Sequence, residues 1–211
     1  MGRKSKADQR RIEIIQAFFK CVEDQGIANA SIRKIASAAG VQPSTLHHYF
    51  KNKEEIIEES VRVYTDRILD HFQDQLDAMI KDPSVSVKEQ VDLGLAFIFS
   101  DNMINDTHTG FFLECCVAAR NNLRIKNTLA NLFVRFRTAI IAQLELVPGF
   151  DHLDTHKKHL LSSTIVAIHE GIELQWFADP DSVNLEQTLG VARDIVTFFI
   201  ENADPASAKG G

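Results

Sequence analysis

The stretch from Ser31 to Phe50 constrains this chain more than any other part of it. Ile32, Ile35 and Ala36 suit the buried face of a short helix that Ser31 can cap, and Gly40 sits where the chain must turn sharply. Pro43 then fits the first position of a further helix through His47–Tyr49, with Leu46 and Phe50 as its apolar members. Two such short helices bury too little to stand alone. The segment Asp8 to Asp24 supplies a third: Ile12, Ile15, Phe19 and Val22 recur at helical spacing, Phe18 widens the stripe, and Gly26 ends it. These residues predict a three-helix head carrying a helix-turn-helix.

The remaining positions of that last short helix are polar, or aromatic with a hydrogen-bonding tip: Gln42, Ser44, Thr45, His47, His48 and Tyr49. Such side chains suit base edges and phosphate oxygens in a major groove. Charge points the same way. Residues 1–53 hold ten Lys/Arg against four acids, a net +6, while residues 54–211 hold 13 basic and 25 acidic residues, a net −12. A basic head on an acidic body is expected where only the head meets phosphate. For the arm Arg3-Lys4-Ser5-Lys6, phosphate contact and disorder both stay open.

The rest of the chain reads as helix. Asn52 with Glu55 opens a fourth helix to about Lys81, and Ser86 with Glu89 opens another to about Asn102. Further helices are expected over Asp106–Ala119, Asn121–Val147, Asp154–Phe177 and Asn184–Glu201, with all five prolines between periodic segments. The predicted fold class is all-α, about nine helices. A helix-turn-helix domain over 1–53 precedes a helical regulatory and dimerisation domain over 54–202 and a flexible tail over 203–211.

Residues 10–57 resemble the tetracycline-repressor (TetR) family of bacterial regulators. The resemblance rests on Gly26, Ser31, Ile35-Ala36, Ala39-Gly40-Val41, Thr45-Leu46-His47-His48-Tyr49-Phe50 and Lys53-Glu54-Glu55-Ile56. His47 departs from it, standing where the family usually has Tyr. The resemblance implies a homodimer that binds double-stranded DNA at a palindromic operator and leaves it when a small effector binds. It implies that Ser31 caps its helix and touches phosphate, and that Arg33 faces backbone or base. Gln42, Ser44 and Thr45 would begin the recognition helix, His48 and Tyr49 would reach backbone or base, and Lys53 would meet a phosphate. His47 belongs to the same candidate surface.

The later chain resembles the family's regulatory domain more loosely, best at Glu170–Pro180. The resemblance implies that the last two helices pair with those of a second subunit; their apolar content exceeds what one face needs, with burial inside a single subunit as the alternative. It also implies a ligand cavity. Fourteen Phe against two Tyr and one Trp give a Phe-rich interior, concentrated at Phe97, Phe99, Phe111, Phe112, Phe133 and Phe136, suited to an apolar or aromatic molecule. Candidate lining residues are Phe97, Phe111, Phe112, Cys115, His169, Glu173 and Trp176, with His108 and Glu114 as further polar anchors; core packing is the equal alternative for each.

Other classes fit less well. His169-Glu170-Gly171-Ile172-Glu173 is similar to part of a zinc-protease helix but lacks its second histidine, and no phosphate loop or nucleophile elbow occurs. His152, His156 and His159 fall at spacings that can share one helical face, and Cys115-Cys116 can be core or redox-sensing. A ligand-independent or metal- or redox-responsive regulator of the same fold is the alternative, and a non-specific DNA packager a further one. No cofactor is expected. Three cysteines make a poor disulfide framework, and no apolar run is long enough to span a bilayer, so a cytoplasmic protein is expected.

Overall fold

The computed structural model describes residues 6–80, 87–147 and 149–202. Among these residues there are nine α-helices and no strand: α1 (Lys6–Asn29), α2 (Ile32–Ala38), α3 (Pro43–Tyr49), α4 (Lys53–Ile80), α5 (Val87–Ile98), α6 (Asp106–Ala119), α7 (Leu123–Leu144), α8 (Thr155–Ala178) and α9 (Leu185–Glu201). Short 3-10 turns, Phe150–His152 and Pro180–Ser182, flank α8. Residues 3–5 of the expected arm, the cap at Ser86 and the tail over 203–211 lie outside the described residues, while Lys6 opens α1.

The helix starts follow their caps. Ser31, Asn52, Asp154 and Asn184 each accept a backbone N–H three residues on, from Lys34, Glu55, Lys157 and Gln187. Asn122 takes the N–H groups of Arg124 and Ile125 and so starts α7, two residues later than expected. α5 ends at Ile98 rather than near Asn102, where Ser100 Oγ donates to the Phe97 carbonyl and closes the turn.

Packing groups the chain into two units. The first holds residues up to Arg67 together with Gly110–Leu129, and the second holds Ile68–Thr109 with the residues from Ala130 on. In the first, α1 packs on α2 and α3. Its buried stripe differs in part from the expected one: Ile15, Phe18 and Val22 are buried as expected, Ile14 and Cys21 join them, and Ile12 and Phe19 are only partly buried. The cause is tertiary. Phe19 instead meets the edge of Phe111, with ring centroids 5.0 Å apart, and Tyr64 meets the same ring at 4.8 Å.

α1 is broken where the sequence places its stop. Gly26 adopts φ 76°, ψ 162°, open almost only to glycine, and the chain resumes a helical turn to Asn29. Glu114 of α6 secures the break, its Oε2 accepting the Ile27 N–H at 3.1 Å. The sequence suggests Glu114 as a ligand anchor; in the structure it bonds backbone of its own unit.

The second unit is built on a core of Phe72, Leu95, Ile98, Phe99, Ile104, Ile140, Leu161 and Ile165, with α9 packing on α5 and α8. Phe150 and Leu153, from the turn before α8, are buried in the same core.

Candidate functional site

The helix-turn-helix is built by a few local bonds. α2 ends in a paired motif in which Val41 N donates to the Ala36 carbonyl at 2.9 Å and Gly40 N to the Ser37 carbonyl at 3.1 Å. That closure needs a residue in the left-handed region, and Gly40 supplies it at φ 65°. The chain then enters α3 through Gln42, whose own side chain makes no cap, with Pro43 in the first turn. Leu46 is the one buried residue of α3, at 1% exposure, and Phe50 immediately after it is buried too. Arg11 of α1 pins the far end: its guanidinium lies 4.2 Å from the Phe50 ring centre and donates to the Tyr49 carbonyl.

With its inner face taken up by Leu46, α3 turns the other positions outward. Gln42, Ser44, His47 and His48 are exposed, as are Ser31 and Arg33 on α2; Thr45 and Tyr49 are partly buried. Lys53 behaves differently. Its Nζ donates to the carbonyls of Ile27 (2.7 Å) and Ala28 (3.2 Å), fastening the start of α4 to the end of α1. Arg11 and Glu55 add a longer contact of 3.7 Å beside it. Eight of the nine predicted nucleic-acid residues thus share the short stretch 31–49, while the ninth, Lys53, is engaged by backbone.

The second unit contains a cavity of about 300 Å³, its open mouth included. Phe72, Ile98, Met103, Phe136, Ile140 and Val166 form its apolar wall, and His169 and Glu170 its polar edge. Phe72 anchors that wall: its ring meets Phe136 edge-on at 5.6 Å and stacks on Phe97 at 6.0 Å. Most of that volume is open to solvent, and the enclosed space has room for about one water molecule, well below the range for small-molecule sites. Of the residues the sequence offers for the lining, His169 and Phe136 border this space. Phe111 and Cys115 are buried in the first unit, and Phe112 is partly buried there. Phe97 belongs to the second unit's core and Trp176 packs against that core from partial burial. Phe72, Met103 and Phe136 complete the wall from three separate segments, which periodicity alone could not bring together.

The polar edge has unusual electrostatics. His169 is buried, and burial pushes its imidazole down to about 4, a polar interaction with the Ile98 backbone working against this. Its Nδ1 has no hydrogen bond of ordinary geometry. Glu173 lies one helical turn on, with its Oε2 3.8 Å from His169 Nε2; burial raises its carboxyl, against the Thr109 hydroxyl that donates to Oε1 at 2.7 Å. Burial, then the charge of Glu173, lifts Glu170 to about 8. With the imidazole neutral at physiological pH, the His169–Glu173 contact is polar rather than ionic.

His152, His156 and His159 do not gather on one helical face. His152 falls in the 3-10 turn, before Asp154 opens α8, so it leaves the helical face that His156 and His159 could share. All three are exposed. Cys21 and Cys115 are buried and Cys116 exposed, none in a disulfide. Burial raises both buried thiols, most strongly Cys115.

Residues 14–60 match the family described as bacterial regulatory proteins, tetR family. The repressor KstR2 of Mycolicibacterium smegmatis is 34% identical over 73 residues, 35% of this chain and 36% of KstR2. The regulator BetI of Serratia proteamaculans is 22% identical over 196 residues, covering 93% of this chain and 95% of its own. Among solved structures, one from Pseudomonas aeruginosa PAO1, described as a transcriptional regulator, superposes with a TM-score of 0.80 at 18% identity, covering 95% of this chain and 94% of the other. A TetR transcription regulator from Haloarcula marismortui gives 0.72 at 18% identity, over 90% and 97%. At those identities the structural likeness shows the fold. No helix among the described residues is long and apolar enough to cross a membrane.

Proposed function

We propose that this chain, whose residues 14–60 match the tetR family of bacterial regulatory proteins, is a sequence-specific DNA-binding transcription regulator, a repressor released from a palindromic operator by a small apolar or aromatic ligand. One observation carries the reading: α3 commits a single side chain, Leu46, to the core and leaves Gln42, Ser44, His47 and His48 to solvent. A helix held that way is free to lie in a major groove. Ser31 and Arg33 flank it, with Thr45 and Tyr49 at its margins. The names of the relatives, a repressor and a regulator, agree with this function.

Two features support the rest of the reading. Leu160, Leu174 and Phe177 on α8 and Val191 and Phe198 on α9 are large apolar side chains left exposed. Leu160, Ala167, Gly171, Leu174 and Ala178 follow a helical stripe, the pattern of a helix seam awaiting a partner. A second copy of the chain, meeting α8 and α9 with its own, would bury it. The apolar wall of the cavity suits such an effector, which would enter by parting the side chains around it. α4 carries Lys53 at its start and Phe72, which lines the cavity, further along, so displacement of this helix by ligand would respace the two readers of a dimer. The division of labour would fall between a reader over 1–53 and a regulatory part over 54–202.

The test is selection of bound duplexes from random DNA, followed by gel shift on the selected sequence. A two-fold symmetric site with half-sites one helical turn or a multiple apart, bound about 10³-fold or more above competitor, is the expected result. Binding that does not discriminate between duplexes would overturn the proposal in favour of a DNA packager.

A further inference from the structure

We propose that His169, Glu170 and Glu173 of α8 bind one divalent first-row transition-metal ion of the zinc class at the polar edge of the cavity. Each residue offers one donor atom, and these atoms lie within 4.8 Å of one another. Among the described residues they are the one such group of His, Cys, Asp and Glu.

The helix spacing makes the site. Residues four apart stand one above the other on a helix, as the two histidines of a zinc-binding H-E-x-x-H helix do. Here Glu173 takes the place of the second histidine, and Glu170 approaches from the adjacent position. His169 Nε2 and Glu173 Oε2 are 3.8 Å apart. Metal–ligand bonds of about 2.0–2.1 Å in a tetrahedron require donors about 3.4 Å apart, so small side-chain rotations close the pair on an ion.

The surroundings fit a held ligand set. The Thr109 hydroxyl fixes Glu173 Oε1 at 2.7 Å, leaving Oε2 toward the imidazole, which is the outer-shell bond that orients metal-binding carboxylates. Phe99 meets the His169 ring at 69°, centroids 6.0 Å apart, and restricts its rotation. His169 is more than nine-tenths buried, and the Ile98 backbone is a polar neighbour of its ring. A buried imidazole and two carboxylates beside an apolar wall are costly to desolvate, and a cation shared by all three offsets that cost. The cavity leaves a further coordination position open. One nitrogen and two oxygens suit zinc, cobalt or nickel; three donors are too few for calcium, and the absence of sulfur among them disfavours copper(I).

This site stands independently of the DNA reading, since it rests on α8 and its neighbours alone. The test uses the full-length, tag-free chain in a competition titration of Zn²⁺ against a chromophoric chelator, with the visible spectrum of the Co²⁺ form alongside. The expected result is one ion per chain and a Co²⁺ spectrum without a thiolate charge-transfer band. Thr109→Val should weaken binding by about 10–100-fold, as loss of an outer-shell partner does, and His169→Ala or Glu173→Gln by more. A triple variant, His156→Ala with His159→Ala and Cys116→Ser, should bind as the parent does. Failure of the folded chain to take up zinc, a thiolate band, or parental affinity in His169→Ala and Glu173→Gln would each overturn the proposal. The cobalt spectrum of the parent decides the matter even where a variant fails to fold.

Discussion

Lys53 stands where two demands meet, and replacing it by Met separates them. A cation in the first turn of α4 opposes that helix's dipole, so its position calls for a compensating partner. The structure supplies one in the Ile27 and Ala28 carbonyls, 2.7 and 3.2 Å from Nζ, at the C-terminal end of α1. An ammonium has three N–H donors, and two carbonyls leave one for a phosphate oxygen. Lys53→Met keeps most of the aliphatic stem and removes all three. Losing two charge-assisted bonds at a partly buried site should lower unfolding free energy by about 1–2 kcal/mol, read from urea titration. If the third donor meets phosphate, the slope of log affinity against log salt should also shrink by about 0.9 per chain, or about twice that for a dimer. A fall in stability with an unchanged slope would make Lys53 a structural clamp only. Parental stability together with a parental slope would refute the reasoning altogether.

Other expectations follow from single features. Gly26→Ala should destabilise the chain by about 1–3 kcal/mol through its backbone conformation, while the Glu114 carboxylate, 2.7 Å from the new Cβ, can shift aside; urea denaturation that matches the parent would refute this. In thiol titration of the native chain Cys116 should react first, with Cys21 and Cys115 slowed by burial and raised pKa until the chain unfolds; simultaneous labelling of all three would count against the packing. Phe198, 67% exposed on α9, should hold two subunits together, so Phe198→Glu should shift sedimentation from dimer toward monomer. An unchanged sedimentation coefficient would remove α9 from the interface.

What can be read from sequence is what local chemistry determines. Ser31, Asn52, Asp154 and Asn184 announce their helices because a cap is satisfied within three residues, and α6 runs over Asp106–Ala119 as expected. Gly26 and Gly40 mark real breaks, each with positive φ. The buried side of α1 is less legible, because Phe19 turns to Phe111 on a distant helix, and no periodicity within one helix reports that. The cavity is least legible for the same reason. Phe72, Met103 and Phe136 come together only through the fold, while Phe111 and Cys115 are equally good candidates by composition yet pack in the other unit. The helix carrying His169 and Glu173 stands out in the sequence, but its depth, its Thr109 bond and the part played by Glu170 need the structure.

The way α3 is hung has an evolutionary corollary. Its attachment runs through Leu46, Phe50 and the Arg11 clasp on the Tyr49 carbonyl, so folding makes little demand on what stands at 42, 44, 47 or 48. Substitutions there can accumulate without eroding the scaffold. On the proposed function, such a chain could pass from one target sequence to another with its architecture unchanged, and exposed His47, where the family it resembles usually has Tyr, is one position open to that change.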